Sequence, residues 1–147
     1  MTGEHRLTRV DILHDCGQSL NPAIDMGQIE GGFVQGAGWL TTEELWWNND
    51  GELKTHAPST YKIPTCSDIP VDFRVRILES KANQEDTIYR SKAVGEPPLM
   101  LAISVFQAIR DAVASTGDKS ELPVLVAPAT PESVLNAIIR QQGGKSA

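Results

Sequence analysis

The amino-acid sequence predicts an α+β fold, with mixed short strands and two or three packed helices. Two stretches, 7–14 and 71–78, alternate apolar and polar residues in the way that half-buried strands do. Three others, beginning near Pro22, Pro97 and Pro131, space their apolar residues as helices do. Strands and helices do not alternate strictly along the chain, so we expect an α+β fold.

The first helix is expected over residues 22–45, after the strand at 7–14. Asn21 is a preferred cap residue, and Pro22 suits the first helical position because its missing N–H costs nothing there. The apolar residues of the segment fall on one stripe, which is the expected core face: Met26, Ile29, Phe33, Ala37 and Leu40.

A second face of this helix carries glutamine and glycine. At about 100° per residue, Gln28, Gly32, Gln35 and Trp39 lie on one narrow face. Each glycine inside a helix costs roughly 1 kcal/mol against alanine, so several of them indicate that something approaches the backbone closely. A bound cofactor would account for them, and so would a closely packed neighbouring helix or strand. The Gly-x-x-x-Gly spacing also occurs in membrane dimer helices, but the acidic residues of this segment exclude that assignment.

The middle of the chain is expected to be less regular. Residues 48–51 are a turn signal, and 52–70 are rich in Pro, Ser and Thr. The strand at 71–78 follows. We then expect a polar loop over 80–86 and a further short strand over 87–90.

Glu96 stands out because two prolines follow it. Proline disfavours a helical backbone in the preceding residue, so we expect Glu96 to be extended and the helix to run from Pro97 to about Ser115. The carboxylate then lies at the positive end of a helix, which favours the ionised form that a general base needs. A helix cap and a solvated surface glutamate are the alternatives, although Glu is not among the preferred caps.

The last helix is expected from its cap, Thr130, to Gln141, with residues 142–147 disordered. We expect residues 1–147 to form a single domain, because 147 residues can bury a sizeable core. The net charge of −6 argues against nucleic acid as a partner. The sequence contains no run of 18 apolar residues that could form a membrane span, and its first residues contain no apolar core of a signal peptide. We therefore expect a cytoplasmic protein.

Cysteine and histidine usage predicts no metal site built by the protein. Cys16 and Cys66 have no metal-ligand spacing, and we expect both to be buried free thiols. Two cysteines are too few for an iron–sulfur cluster, which usually needs four. His5, His14 and His56 are scattered, so a zinc site is not expected.

Four motifs follow one another along the chain: 19–31 (SLNPAIDMGQIEG), 33–38 (FVQGAG), 58–64 (PSTYKIP) and 92–99 (KAVGEPPL). In order and spacing they resemble the molybdenum hydroxylases of the xanthine dehydrogenase and aldehyde oxidase family. The resemblance covers about residues 3–140. It is to the C-terminal end of the molybdopterin-binding subunit or domain.

The resemblance implies a partial molybdopterin-binding domain whose cofactor is molybdenum-molybdopterin. In that family a glutamate is the general base in the oxidative hydroxylation of purines, and Glu96 matches it. Gln28 matches a glutamine that hydrogen-bonds the cofactor. No protein ligand to the metal is implied, because the pterin dithiolene holds the molybdenum. The implied partners are the remaining part of the molybdenum subunit, iron–sulfur and flavin subunits, and a purine substrate.

The chain is far shorter than the family's molybdenum subunit, which leaves two functions open. In the first, it supplies the base and part of the cofactor site and is inactive alone, because one segment cannot preorganise a site built from many. In the second, it is a stand-alone module that keeps the fold without catalysis and binds a partner or forms a homo-oligomer. An exposed apolar surface that a second copy covers would favour the second function.

Overall fold

Four helices and a two-stranded sheet make up the described part of the chain. The computed structural model describes residues 2–79, 82–118 and 121–143. Its main elements are β1 (Arg9–His14), α1 (Pro22–Thr41), β2 (Asp72–Ile77), α2 (Glu96–Leu101), α3 (Ile103–Ala114) and α4 (Pro131–Gln141). The expected α+β class is confirmed. Among the described residues, no helix combines the length and the apolar character that a membrane span requires.

The sheet pairs the two strands that the alternating pattern predicts. β1 and β2 run parallel and in register from Arg9 opposite Asp72 to His14 opposite Ile77. The further strand expected over 87–90 is wrong. Residues Ile88–Arg90 form a 3-10 turn in which Tyr89 and Arg90 have positive φ angles of 50° and 60°. A left-handed backbone of this kind cannot continue a strand.

Helix α1 begins as expected and ends before residue 45. The Asn21 side chain accepts a hydrogen bond from the Ile24 N–H at 3.3 Å, so the cap is confirmed. The helix stops at Thr41, because the residues beyond it enter a small hairpin. There Trp47 pairs with Leu53 across the expected turn at 48–51.

The hydrophobic core lies between α1, α3, α4 and the inner face of the sheet. The Phe33 and Phe73 rings join α1 to β2, with ring centroids 5.7 Å apart. The buried residues include Ile12, Ile29, Phe33, Ala37, Ala102, Val105, Ile109, Val113, Val134, Ala137 and Ile138. The expected stripe on α1 therefore faces the core at its centre, while Met26 and Leu40 at its ends are only partly buried.

The helix expected from Pro97 to Ser115 is divided in two at the fully buried Ala102. Glu96 is not extended, because it is the first residue of α2, in a turn closed by the Leu99 N–H donating to the Gly95 carbonyl oxygen at 3.3 Å. The effect of a following proline is a preference, and the first helical turn overrides it here.

Helix α4 matches its expected limits, and the Thr130 hydroxyl accepts a hydrogen bond from the Ser133 N–H at 3.3 Å. Of the terminal segment 142–147, only 142 and 143 are described, so the disorder expected for the rest lies outside the described residues. The polar loop expected over 80–86 is described from 82 onward and contains no helix or strand there.

Candidate functional site

An open cavity of about 460 Å³ lies between α1 and the start of α2. It brings Gln28 and Glu96 together, although they come from different helices. The residues that line it are Gly27, Gln28, Gly31, Gly32, Gln35, Gly95, Glu96 and Leu99. The two site residues that the sequence predicts therefore share one surface.

Two glycines let α2 approach α1 closely enough to form this cavity. A Cβ atom on Gly32 would lie 2.9 Å from the carbonyl oxygen of Gly95. A Cβ atom on Gly36 would overlap the carbonyl oxygen of Leu99 and lie 2.8 Å from the Ala102 Cβ. Close packing of a neighbouring helix, rather than a bound cofactor, therefore explains why glycine occupies these two positions.

Two other glycines have no packing reason among the described residues. Apart from the neighbouring backbone of α1 itself, a Cβ atom on Gly27 or on Gly31 would have no heavy atom within 4 Å. Both glycines line the cavity, so the backbone of α1 is open to it at these positions. Since a glycine inside a helix costs roughly 1 kcal/mol, these positions are the ones where close approach by a bound group would explain the residue type.

The polar side chains of the cavity are Gln28, Gln35 and Glu96, and all three are exposed. None of them forms a side-chain hydrogen bond or ion pair within residues 2–79, 82–118 and 121–143. A carboxamide offers two N–H donors and an acceptor oxygen, and an ionised carboxylate offers acceptors alone. The cavity therefore presents free donors and acceptors to a ligand. Periodicity places Gln35 on the same face of α1 as Gln28, but sequence reasoning does not identify Gln35 as a site residue.

These features fit an organic cofactor better than a metal ion bound by the protein. The surface offers an open glycine backbone, amide donors and acceptors, and one carboxylate. Across the described ranges, no group of three or more His, Cys, Asp or Glu side chains could hold a metal ion. The cavity is also open to solvent.

Both cysteines are free, and they differ in environment. Cys16 is buried as expected, and burial raises the pKa of its thiol. The expectation that Cys66 is buried is wrong. Cys66 is exposed because it begins a 3-10 turn at the surface, at Cys66–Asp68.

A second cavity, of about 530 Å³, lies between the N-terminal segment, α1 and the loop at 64–70. It contains His5, whose pKa is lowered by burial, and the buried Thr42 hydroxyl, which has no hydrogen-bond partner in the described part of the chain. Sequence reasoning singled out neither residue, because the lining comes from separate segments that share no motif. This cavity contains neither Gln28 nor Glu96.

A family model described as a molybdopterin cofactor-binding domain matches residues 1–70. The matched region includes β1 and all of α1, and hence Gln28, Gln35 and the three α1 glycines of the first cavity, Gly27, Gly31 and Gly32. Glu96 lies beyond the matched region.

Curated relatives extend the similarity over almost the whole chain. The chain is 53% identical to the xanthine dehydrogenase/oxidase of Rattus norvegicus over 146 residues, which are 96% of this chain and 11% of that protein. It is also 53% identical to the indole-3-acetaldehyde oxidase of Arabidopsis thaliana over 113 residues, which are 77% of this chain and 8% of that protein. The chain thus spans about a tenth of the length of these relatives.

A solved structure shows the same fold. The crystal structure of quinoline 2-oxidoreductase from Pseudomonas putida 86 superposes with a TM-score of 0.79 at 32% sequence identity. The match covers 92% of this chain and 16% of that chain. The arrangement of helices and strands described above is therefore that of a segment within a much longer chain.

Proposed function

Because this chain belongs to the xanthine dehydrogenase and aldehyde oxidase family of molybdenum hydroxylases, we propose that it supplies the general-base glutamate for the oxidative hydroxylation of a purine. The cofactor of the family is molybdenum-molybdopterin, and the chain forms part of its site. It acts in the cytoplasm as a single domain. It is inactive until the remaining part of the molybdenum subunit completes the site, and iron–sulfur and flavin subunits carry the electrons away.

One observation carries this proposal. Gln28 and Glu96, which come from different motifs, line the same open cavity beside the unobstructed backbone of Gly27 and Gly31. A surface helix with no ligand would gain stability from alanine at both glycines. A ligand that must reach the helix backbone next to the glutamate explains all four residues together.

Each residue has a distinct role in the proposed mechanism. When bound, the cofactor would provide the redox centre for oxidation of the substrate carbon. Gly27 and Gly31 would let the cofactor approach α1, and the Gln28 carboxamide would hold it by hydrogen bonds. The Glu96 carboxylate accepts a proton on one Oε atom from the attacking oxygen nucleophile, which is the task of a general base. The contact between Gly32 and Gly95 keeps Glu96 beside α1.

The purine substrate is supported by the name of the rat relative, xanthine dehydrogenase/oxidase. The equal identity to an enzyme named for an aldehyde, indole-3-acetaldehyde oxidase, makes an aldehyde the competing substrate class. Turnover of xanthine and of an aromatic aldehyde by the assembled enzyme separates the two. Turnover of the aldehyde alone would remove the purine assignment.

The test of the base uses the chain assembled with the remaining part of the molybdenum subunit. Glu96→Gln is expected to lower turnover by on the order of 10²–10⁴ and to leave molybdenum and pterin content unchanged. Gln28→Ala is expected to lower the cofactor content itself. Glu30→Gln is the matched control, because Glu30 is an exposed carboxylate on α1 that does not line the cavity. Full turnover by the Glu96→Gln enzyme would contradict the base assignment.

The second candidate, a non-catalytic module that self-associates, is favoured by one observation. Leu13, Leu20 and Ile24 are 66%, 62% and 60% exposed, which places large apolar side chains on the surface around β1 and the start of α1. A homo-oligomer could cover them. Two results together would support this candidate over the first. Sedimentation would show an oligomer whose fraction grows with concentration, and the complex co-expressed with the rest of the subunit would contain no cofactor.

A further inference from the structure

The segment that leads to Glu96 is tied by backbone hydrogen bonds to the loop that follows β1. The Lys92 N–H donates to the Cys16 carbonyl oxygen at 2.8 Å, and the Gln18 N–H donates to the Arg90 carbonyl oxygen at 3.0 Å. Only three residues separate Lys92 from Glu96. The pairing of the two segments therefore lies close in sequence to the proposed base.

Two side chains at the end of β1 add to this pairing. The Asp15 carboxylate forms an ion pair with the Lys92 ammonium group, in which the Oδ2–Nζ distance is 2.6 Å. The His14 Nε2 atom lies 3.0 Å from the Ala93 carbonyl oxygen. Because a carbonyl oxygen can only accept, Nε2 is the donor in this hydrogen bond. Two consecutive residues after β1 thus hold two consecutive residues shortly before Glu96.

The loop after β1 has a fixed shape and is joined to α1. The Asp15 Oδ1 atom accepts a hydrogen bond from the Gly17 N–H at 2.9 Å. Gly17 has a φ angle of 63°, and a Cβ atom there would lie 2.5 Å from the Arg90 carbonyl oxygen, so this position requires glycine. The Ser19 hydroxyl donates to the Asp25 carboxylate in the first turn of α1. The loop is therefore a link between α1 and the segment that precedes α2.

The start of α2 has little hydrogen bonding of its own to fix its direction. The helix has six residues, two of the first three are prolines without an N–H, and Gly95 at its N-terminus provides no side-chain cap. The Gly95 carbonyl oxygen accepts from the Leu99 N–H at 3.3 Å and lies over Gly32, which sets the distance between Glu96 and α1. The direction in which the chain enters α2 then depends on the residues before it, which the loop after β1 holds.

We propose that Asp15 and His14 are positioning residues for the Glu96 carboxylate, and that they act through Lys92 and Ala93. This inference rests on the proposed function, in which Glu96 is the general base. A base must lie within hydrogen-bond distance of the proton that it accepts, and a displacement of about 1 Å caused far from the reacting atoms can lower a rate by about a hundredfold. The contacts form within this chain, so the positioning exists before a cofactor or a partner binds.

Asp15→Asn removes the ion pair and keeps the shape of the loop. The Asn oxygen can still accept from the Gly17 N–H, and its NH2 group then faces the Lys92 ammonium group, where two donors cannot bind each other. The paired side chains are 36% and 38% exposed, and ion pairs at such exposed sites contribute little to stability. We therefore expect the melting temperature of the chain alone to fall by at most about 4 °C.

Turnover is measured on the chain assembled with the remaining part of the molybdenum subunit, with xanthine, or with the aromatic aldehyde if only that is turned over. Asp15→Asn and Lys92→Met are each expected to lower kcat by about tenfold or more, with KM and molybdenum content unchanged. Lys92→Arg keeps the pair and should retain most of kcat. The double variant Asp15→Asn/Lys92→Met should be no slower than the slower single variant, because both substitutions remove the same contact.

A second pair of variants tests the histidine contact. The carboxamide in His14→Gln can still donate to the Ala93 carbonyl oxygen, whereas the methyl group in His14→Ala cannot. We expect kcat to be lowered in His14→Ala and largely restored in His14→Gln. Glu52→Gln is the matched control for the ion pair, because Glu52 and Lys54 also lie 2.6 Å apart and neither lines the cavity of the proposed site. Glu52→Gln should leave kcat unchanged.

Nuclear magnetic resonance of the chain alone tests the contact without turnover. Asp15→Asn is expected to shift the amide signals of Gly95 and Glu96 and to speed hydrogen exchange at the Lys92 amide by about tenfold. Glu52→Gln should change none of these signals. Unchanged Gly95 and Glu96 signals in Asp15→Asn would overturn the proposal.

The outcomes separate this proposal from the proposed function. Full kcat in Asp15→Asn, in an enzyme that Glu96→Gln inactivates, overturns the positioning role and leaves the proposed function intact. A loss in Lys92→Met without a loss in Asp15→Asn assigns the effect to the lysine charge and overturns the role of Asp15. Full turnover by the Glu96→Gln enzyme overturns the base assignment and this inference with it. If Asp15→Asn does not fold, the comparison of Lys92→Met with Lys92→Arg decides, because Lys92 is exposed.

Discussion

Alanine at two glycines of α1 should change the stability of the chain in opposite directions. Gly31→Ala adds a methyl group that meets no heavy atom within 4 Å, so only the helix propensity changes. We expect the free energy of unfolding to rise by about 0.5–1 kcal/mol. Gly36→Ala gains the same propensity but places a methyl group against the Leu99 carbonyl oxygen and 2.8 Å from the Ala102 Cβ. Overpacking of this kind costs about 1–3 kcal/mol, and more where backbone must move, so the net effect is destabilising.

The two variants form a matched pair, because both glycines lie inside the same helix and receive the same methyl group. In urea unfolding, with the same dependence on urea concentration for both variants, the free energies of unfolding should differ by about 2 kcal/mol. In thermal melting, the melting temperature should be higher for Gly31→Ala and lower for Gly36→Ala than for the parent chain, by about 2–4 °C per kcal/mol. The sign of the change in the free energy of unfolding shows whether a glycine position is packed or open. Equal changes of one sign would refute the division of the glycines into packed and open positions. In the assembled enzyme, Gly31→Ala should also lower cofactor content while stabilising the chain.

Three further measurements test other parts of the structure. A thiol reagent should modify the exposed Cys66 quickly, and the buried Cys16, whose pKa is raised by burial, only as the chain unfolds. Burial lowers the pKa of His5 below 6.5, so as the pH falls the unfolded state binds a proton before the folded state does. The contribution of neutral His5 to the free energy of unfolding should therefore be full above pH 6.5 and should be lost as the pH drops through the folded pKa. Unfolding measurements on His5→Gln should show a weaker dependence on pH. Asn21→Ala and Thr130→Ala should each lower the free energy of unfolding by about 1 kcal/mol, because each removes a helix cap, and a larger joint loss than the sum would contradict independent helices.

Local rules predicted the parts of the fold that depend on neighbouring residues. The caps at Asn21 and Thr130 lie where the sequence places them, since a cap needs only the side chain and the next three residues. The two strands were found from alternation for the same reason. Their parallel pairing could not be read from the pattern, because it depends on how the intervening α1 crosses the sheet.

Predictions failed where tertiary packing decides the backbone. The helix after the two prolines is divided at Ala102, which lies against Gly36 and is fully buried. Glu96 is helical despite the following proline, because the Leu99 N–H closes the first turn onto Gly95. At Tyr89 a residue type typical of strands adopts a positive φ angle, which no pattern in the sequence indicates.

The sequence predicted which residues belong to the candidate site, but not how the fold brings them together. Periodicity placed Gln28 and Gln35 on one face of α1, and the structure confirms that both line one cavity. The roles of Gln28 and Glu96 came from the resemblance and stay predictions. That Glu96 faces this side of α1 depends on the contact of α2 with Gly32 and Gly36, and the sequence could not show which glycines pack and which stay open.

The glycines of α1 explain why a short chain could keep the geometry of one wall of a larger site. The position of Glu96 relative to α1 is set by backbone contacts, because the Gly95 carbonyl lies over Gly32 and the Leu99 carbonyl over Gly36. Such contacts form within this chain and need no cofactor. Access to the backbone at Gly27 and Gly31 is also intrinsic to the helix. Under the proposed function, this segment would position the base, and the remaining part of the molybdenum subunit would exclude water and orient the substrate.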